Sequence, residues 1–203
     1  MSRRLRRRLV EGIGPRVGAK SHYAFEVQEL RSLRIEHAPA VLAFEVANRS
    51  YFAKSISDRG DDYFERFDEE FDSSLLEQEK GTCRLHVLVD DDGAVLGRFN
   101  LYEINVGSAV LGYRVAQHVA GRGVATAAVL ELCRRAATQY GVGTLRAATA
   151  HDNFASQRVL TKCGFELVGP ALVAGRPGSW YQRALFVSRE PTSPRDSGDR
   201  PTW

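Results

Sequence analysis

The sequence predicts a single α+β domain, a mixed sheet with helices on both faces. Three observations carry this expectation. Short alternating apolar runs and helix-periodic runs are interleaved along one chain, so both kinds of element must share a core. Two strand-like runs flank Asp90-Asp91-Asp92-Gly93, a tight-turn sequence that joins antiparallel neighbours. A third strand-like run ends in a glycine-containing turn and opens directly into a long amphipathic helix.

The elements follow in order. Ala24 to Arg34 alternates through Phe25, Val27, Leu30 and Leu33 and reads as a strand. Glu36 to Asn48 places Ala40, Val41, Phe44 and Ala47 at helical spacing. Asp61 to Lys80 offers Phe64, Phe67, Phe71, Leu75 and Leu76 on one helical face, with carboxylates on the other. Arg84 to Val89 and Ala94 to Leu101 are the strands around the Asp-Asp-Asp-Gly turn, and Val110 to Ala116 is a third strand of the meander. Gly123 to Tyr140 is a helix closed by Gly141 and Gly143. Thr144 to Thr149 is a short strand, and Asn153 to Lys162 is a helix stopped by Gly164. Phe165 to Val168 and Trp180 to Val187 are the last strands, which brings the sheet to about seven.

Domain bounds of 21–187 leave two tails. The C-terminal one, 188–203, is rich in Pro, Ser, Asp and Arg without periodicity. The N-terminal one, 1–20, carries Arg3, Arg4, Arg6, Arg7 and Arg8. The formal net charge of +3 therefore belongs to this cluster rather than to a basic face of the domain. The cluster suits contact with nucleic acid or a ribosome surface; a solvated end is the plainer and favoured reading.

Hydrophobic residues make up 43% of the 203 residues, which supports a globular core and excludes a disordered chain. No apolar run approaches the roughly 20 residues that cross a bilayer, and no apolar segment follows the basic N-terminus as in a secretory signal. Three cysteines, Cys83, Cys133 and Cys163, lie far apart without metal-ligand spacing. They read as reduced thiols of a cytoplasmic protein without a metal.

The chemistry is written in Leu111 to Thr126. The first amides of a helix lack internal partners and point beyond its end, where the helix dipole adds positive charge. Gly121 and Gly123, with the small Ala125, let a phosphate approach that end. The turn is built like a pyrophosphate cradle, although the same glycines also suit a plain reversal of the chain. GxxxxGK[ST] is absent, which excludes a P-loop nucleotidase. Thr144 to Thr149 supplies no acidic residue for a ribose, which excludes a Rossmann site.

Ala120-Gly121-Arg122-Gly123-Val124-Ala125 resembles the acetyl-CoA loop of the GNAT N-acetyltransferases, Q/R-x-x-G-x-G/A, with Ala120 in place of the usual Gln or Arg. Asp152 to Phe165, an Asn opening a helix that ends in Gly-Phe, is similar to the second signature of that superfamily. Gly112-Tyr113, Asn153-x-x-Ser156-x-Arg158 and Asn48-Arg49-Ser50-Tyr51-Phe52 after the first helix resemble its RimJ/RimL branch. The similarity spans roughly Phe25 to Val187. Two motifs in the right order are much more specific than either alone.

The resemblance implies a mixed, mostly antiparallel sheet splayed in the middle, and direct attack of a neutral amine on acetyl-CoA. It implies that Tyr113, Arg114 and Val115 hold the pantetheine arm and that Gly121, Arg122, Gly123, Val124, Ala125 and Thr126 hold the phosphates. Asn153 and Ser156 then border the pantetheine and the thioester, although Asn153 serves equally as an N-cap and Ser156 as a helix-surface serine. Many GNAT enzymes place a thiolate-protonating Tyr seven residues after the helix Asn. Leu160 stands there, which leaves Ser156 as the candidate acid. The usual strand Glu is replaced by Ala109-Val110, which leaves Glu103 and His151 as candidate bases, each also readable as a solvated loop residue. Ordered water is the alternative, because an α-amine of pKa about 7.7–8.0 is already partly neutral at pH 7.

The expected acceptor is a primary amine, foremost the N-terminus of a protein; a small amine, amino acid or antibiotic is the alternative, and a CoA-binding domain without turnover a third reading. The acidic residues from Asp58 to Glu70 could draw in a cationic acceptor, but read first as a solvated face. Trp180 and Tyr181 either line the acceptor site or fill the core. The chain is expected to act as a monomer or homodimer, with no membrane partner.

Overall fold

The computed structural model describes residues 28–185. Both expected tails, together with the start of the first expected strand, lie outside the described residues. Seven strands form one sheet in the order β1-β2-β3-β4-β5-β7-β6. They are β1 (Glu29–Ser32), β2 (Arg84–Val89), β3 (Val95–Asn105), β4 (Ser108–Val115), β5 (Thr144–Ala150), β6 (Glu166–Val173) and β7 (Arg176–Ala184). All neighbours are antiparallel except β4 and β5.

Helices α1 (Ala38–Phe52), α2 (Asp61–Glu65) and α3 (Phe67–Glu79) precede β2; α4 (Val124–Gln139) and α5 (Phe154–Lys162) flank β5 in sequence. Alternation along β3 shows that both faces are covered. Arg98 meets Glu45 of α1. Its neighbour Phe99 points the other way and stacks on Tyr113, whose hydroxyl reaches Ser156 of α5. On that same side α4 buries Ala128, Val129, Leu132, Cys133 and Ala136, the i, i+4 face predicted by its periodicity. Leu132 is fully buried, so Leu132→Ala would cost about 2–5 kcal/mol. No helix among the described residues is long and apolar enough to cross a membrane.

Four elements differ from the sequence expectation. Helix α1 runs on to Phe52, so Asn48 to Phe52 forms its last turn rather than a following segment. Within that turn Asn48 ties the helix to the sheet: its Nδ2 donates to the Phe44 carbonyl, while its Oδ1 accepts from the Gln117 amide after β4. The helix expected over Asp61 to Lys80 breaks at Arg66. The break lets Phe64 sit under Arg49, 4.7 Å from guanidinium to ring centroid, while Phe67 and Phe71 enter the core.

The β3–β4 hairpin is longer than expected, with an irregular register between Tyr102 and Asn105. The last hairpin occupies residues that read as loop. Pro170 is tolerated because β6 is the sheet edge, where a missing N–H breaks no ladder on the open side. Gly178 is needed because a Cβ there would sit 2.5 Å from the Thr149 carbonyl oxygen.

Candidate active site

The parallel pair β4–β5 is held together only at its start. Ser108, Ala109 and Val110 register with Thr144, Leu145 and Arg146. Beyond them β4 stays with β3 as far as Val115, and β5 stays with β7 as far as Ala150. The strands part into a wedge with Gly112, Tyr113 and Arg114 on one wall and Ala147, Ala148, Thr149 and Ala150 on the other. Its lining is mostly small, with three alanines and a glycine among these residues. From Leu111 onward β4 has no β5 partner, so main-chain polar groups on that edge are available to a ligand. Two cavities, of about 360 Å³ and about 230 Å³, meet there and share Ser55, Ile56, Tyr113, Arg114, Asn153 and Ser156.

The larger cavity runs to the N-terminus of α4, where Ala120, Gly121, Gly123, Ala125 and Thr126 line it. Gly121 and Gly123 have φ of 77° and 85°, a left-handed conformation that side chains with a Cβ rarely adopt. No side chain caps this helix, so its first amides remain open to an anion. Arg114, Arg158 and Lys162 line the same cavity, and no carboxylate does. An elongated ligand with phosphates at one end and a linker along the strand fits these residues.

At the junction of the cavities the hydroxyls of Tyr113 and Ser156 lie 3.0 Å apart. Phe99 stacks on the Tyr113 ring with an interplanar angle of 6°. Asn153 caps α5, its Oδ1 accepting from the Ser156 amide at 3.1 Å, and thereby fixes the first turn that presents Ser156. Burial pushes the Tyr113 phenol up to about 12, against the hydrogen bond from Ser156, which pulls it down. The phenol therefore keeps its proton at neutral pH and remains a donor.

The smaller cavity opens toward α1 and the segment leading to α2. Arg59, Arg98 and Arg114 line it, with Asn100 and Tyr102 further along β3. Arg98 and Arg114 each hold one oxygen of Glu45, both at 2.9 Å, and Glu45 is only 2% exposed. Arg59 stands 3.9 Å from the same carboxylate. Two residues that line this cavity, Arg98 and Thr149, each bury a polar atom, Nε and Oγ1, without a hydrogen-bond partner among the described residues.

Of the residues singled out by sequence, Tyr113, Arg114, Val115, Gly121, Gly123, Ala125, Thr126, Asn153 and Ser156 line the larger cavity. Arg122 is exposed, and neither it nor Val124 lines either cavity. Glu103 is exposed at the irregular end of β3 with φ of 49°, and His151 is exposed with its Nε2 3.1 Å from Ser179 Oγ. Neither is brought to the wedge. Among the described residues no Asp, Glu or His lines either cavity. Tyr181 is buried in the core and Trp180 lies beneath Arg146, and neither lines either cavity.

In the sequence Arg158, Tyr51 and Phe52 have a place in the resemblance but no site role, and Lys162, Ser55 and Ile56 are not singled out; all six line the larger cavity. Arg158 and Lys162 have a signal, since Ala155, Arg158, Val159 and Lys162 follow helical spacing on α5. The place of Tyr51, Phe52, Ser55 and Ile56 depends on how α1 packs across the sheet, which no local pattern gives.

Among curated proteins no sequence matches the chain. Solved structures do share its fold. The ribosomal-protein-S5-alanine acetyltransferase from Vibrio fischeri superposes with a TM-score of 0.73 at 18% identity, covering 80% of this chain and 96% of that one. Mycobacterium smegmatis RimJ, in complex with CoA-disulfide, gives 0.71 at 22% identity, covering 78% and 82%. Spermidine N-acetyltransferase from Vibrio cholerae, in complex with CoA and spermine, gives 0.64 at 18% identity, covering 78% and 95%. The sequence itself matches the acetyltransferase (GNAT) domain over residues 29–166, a stretch that includes the wedge, the uncapped helix and the Tyr113–Ser156 pair. The chain belongs to the GNAT family of acetyl-CoA-dependent acetyltransferases.

Proposed function

We propose that this enzyme acetylates the α-amine of a protein or peptide N-terminus, working as a soluble cytoplasmic transferase in a ternary complex with acetyl-CoA. The observation that carries the reading is the passage from the α4 N-terminus through the β4–β5 wedge into a second cavity. A co-substrate and an acceptor can enter from its two ends and meet beside Tyr113 and Ser156.

Each part has a stated task. The open amides of α4, with Arg158 and Lys162, hold the phosphates. The unpaired edge of β4 holds the pantetheine amides. Acetyl-CoA supplies an activated acyl group; the chain's contribution is to align the amine with it and to exclude bulk water. Ser156, hydrogen-bonded to the protonated phenol of Tyr113, donates a proton to the departing thiolate and recovers one through Tyr113. Removal of the amine proton falls to water, because neither Glu103 nor His151 reaches the wedge. The protein N-terminus is favoured over a polyamine because the acidic residues of α2 and α3 do not line the acceptor cavity, and Asp58 and Asp61 are tied to Arg49 at 2.6 and 2.7 Å.

The test is a turnover assay with acetyl-CoA against short peptides, spermidine and free amino acids, read by mass. Acetylation confined to peptide α-amines supports the reading. Acetylation of spermidine in preference to every peptide would replace it with the small-amine alternative.

A further inference from the structure

We infer that the acceptor carries an anionic group, a carboxylate close to the reacting amine, which the arginines of the second cavity bind. This rests on the acetyl-transfer reading of the same site and names the class of acceptor it takes.

The charges are unbalanced where the acceptor must sit. Arg59, Arg98 and Arg114 line the cavity, and Glu45 is the one carboxylate they share. Glu45 itself does not line the cavity, being buried behind the two arginines that grip it. An acceptor therefore meets guanidinium groups and no carboxylate. The imbalance lies within a low-dielectric pocket, where a fixed charge acts more strongly than on the surface.

A second, independent observation points to a ligand. Arg98 is only 7% exposed, yet its Nε has no partner among the described residues, although buried guanidinium donors are ordinarily satisfied. Its Nη1 is spent on Glu45, and the residue lines the cavity. Thr149, 3% exposed, lines the same cavity, and its Oγ1 is likewise without a partner among the described residues. A guanidinium donor and a hydroxyl, both left without an acceptor, match a carboxylate, which accepts from both.

The geometry also argues against a cationic acceptor. A polyamine would bring further ammonium groups against three arginines. An N-terminal amine reaches the wedge neutral, and an acidic side chain at the next residue, or the carboxylate of a small acidic amine, supplies the negative charge. Arg59 is the adjustable member: its side chain is one-third exposed, it rests on Tyr63 at 4.4 Å, and at 3.9 Å it touches Glu45 only loosely.

The experiment compares kcat/KM of the full chain with acetyl-CoA and peptides identical except for Glu, Gln or Lys at the second residue. A second arm uses glutamic acid α-amide and glutamine α-amide, small amines that differ in one carboxylate. The inference expects Glu over Gln by about tenfold and Lys lowest, between the contributions of an exposed and a buried charge pair. Arg59→Gln should shrink the Glu-to-Gln ratio, leaving acetyl-CoA affinity by calorimetry unchanged. A preference seen only in the small-amine arm keeps the anionic acceptor and removes the protein N-terminus. Equal rates for Glu, Gln and Lys, or a preference for Lys, overturn the inference with the acetyl-transfer reading intact. No transfer in any arm while acetyl-CoA still binds overturns it as well.

Discussion

Ser156 Oγ lies 3.0 Å from the phenolic oxygen of Tyr113, a bond that joins the first turn of α5 to the β4 wall of the wedge. The contact spans 43 positions of sequence and links two hydroxyls at the junction of the cavities. In the proposed mechanism it makes the proton donor a two-residue unit.

That unit predicts non-additive kinetics. Ser156→Ala and Tyr113→Phe should each lower kcat by about 10²-fold, the lower end of general acid contributions, with little change in acetyl-CoA affinity. The double variant should be no slower than the slower single one, because both remove one relay. Independent, multiplying losses in single-turnover rates would separate the two roles.

Gly123 predicts the cofactor end. Gly123→Glu forces a left-handed residue with a Cβ and places a negative charge at the open amides of α4. CoA binding measured by calorimetry should be lost while thermal unfolding stays cooperative. Retained affinity would exclude this helix end as the phosphate site.

Asn153 predicts a mixed phenotype. Its side chain caps α5 through the Ser156 amide and it also lines the larger cavity. Asn153→Ala should cost about 1 kcal/mol of stability in urea unfolding and should also weaken CoA binding. Asn153→Asp, which keeps the cap, should restore the stability.

His86 predicts a pH dependence of stability. It is 1% exposed, with Nε2 2.8 Å from the Tyr140 hydroxyl, and burial holds it down at about 4 against an ordinary value of 6.5. Above 6.5 both the folded and unfolded chains hold it neutral. As pH falls from 6.5 toward 4 only the unfolded chain takes up the proton, so folding loses up to about 3 kcal/mol from this group. Urea midpoints should therefore fall across that window, and His86→Gln should flatten the fall.

The sequence by itself determined the elements whose signal is local. Asp90 to Gly93 reads as a turn because Asp90 Oδ1 can accept from the Asp92 and Ala94 amides, and it does so at 3.1 and 2.8 Å. The apolar stripe of α4 and the glycines before it likewise placed a helix and an open N-terminus without any partner element. Asn153 and Ser156 were legible because a cap and the residue it holds are three positions apart.

Only the tertiary structure decided what depends on distant residues meeting. Pro170 and Gly178 read as loop, yet they lie in strands because one is on a free edge and the other faces the Thr149 carbonyl. Glu103 and His151 stand near the site segments in sequence, but both are exposed and neither lines a cavity. The cluster of Glu45 with Arg98 and Arg114 has no local pattern at all. It forms because α1 packs on the sheet, bringing Glu45 within one hydrogen bond of Arg98 and of Arg114. Charge on a chain is local, whereas the sign of a cavity is set by which side chains the fold aims into it and which it spends on one another.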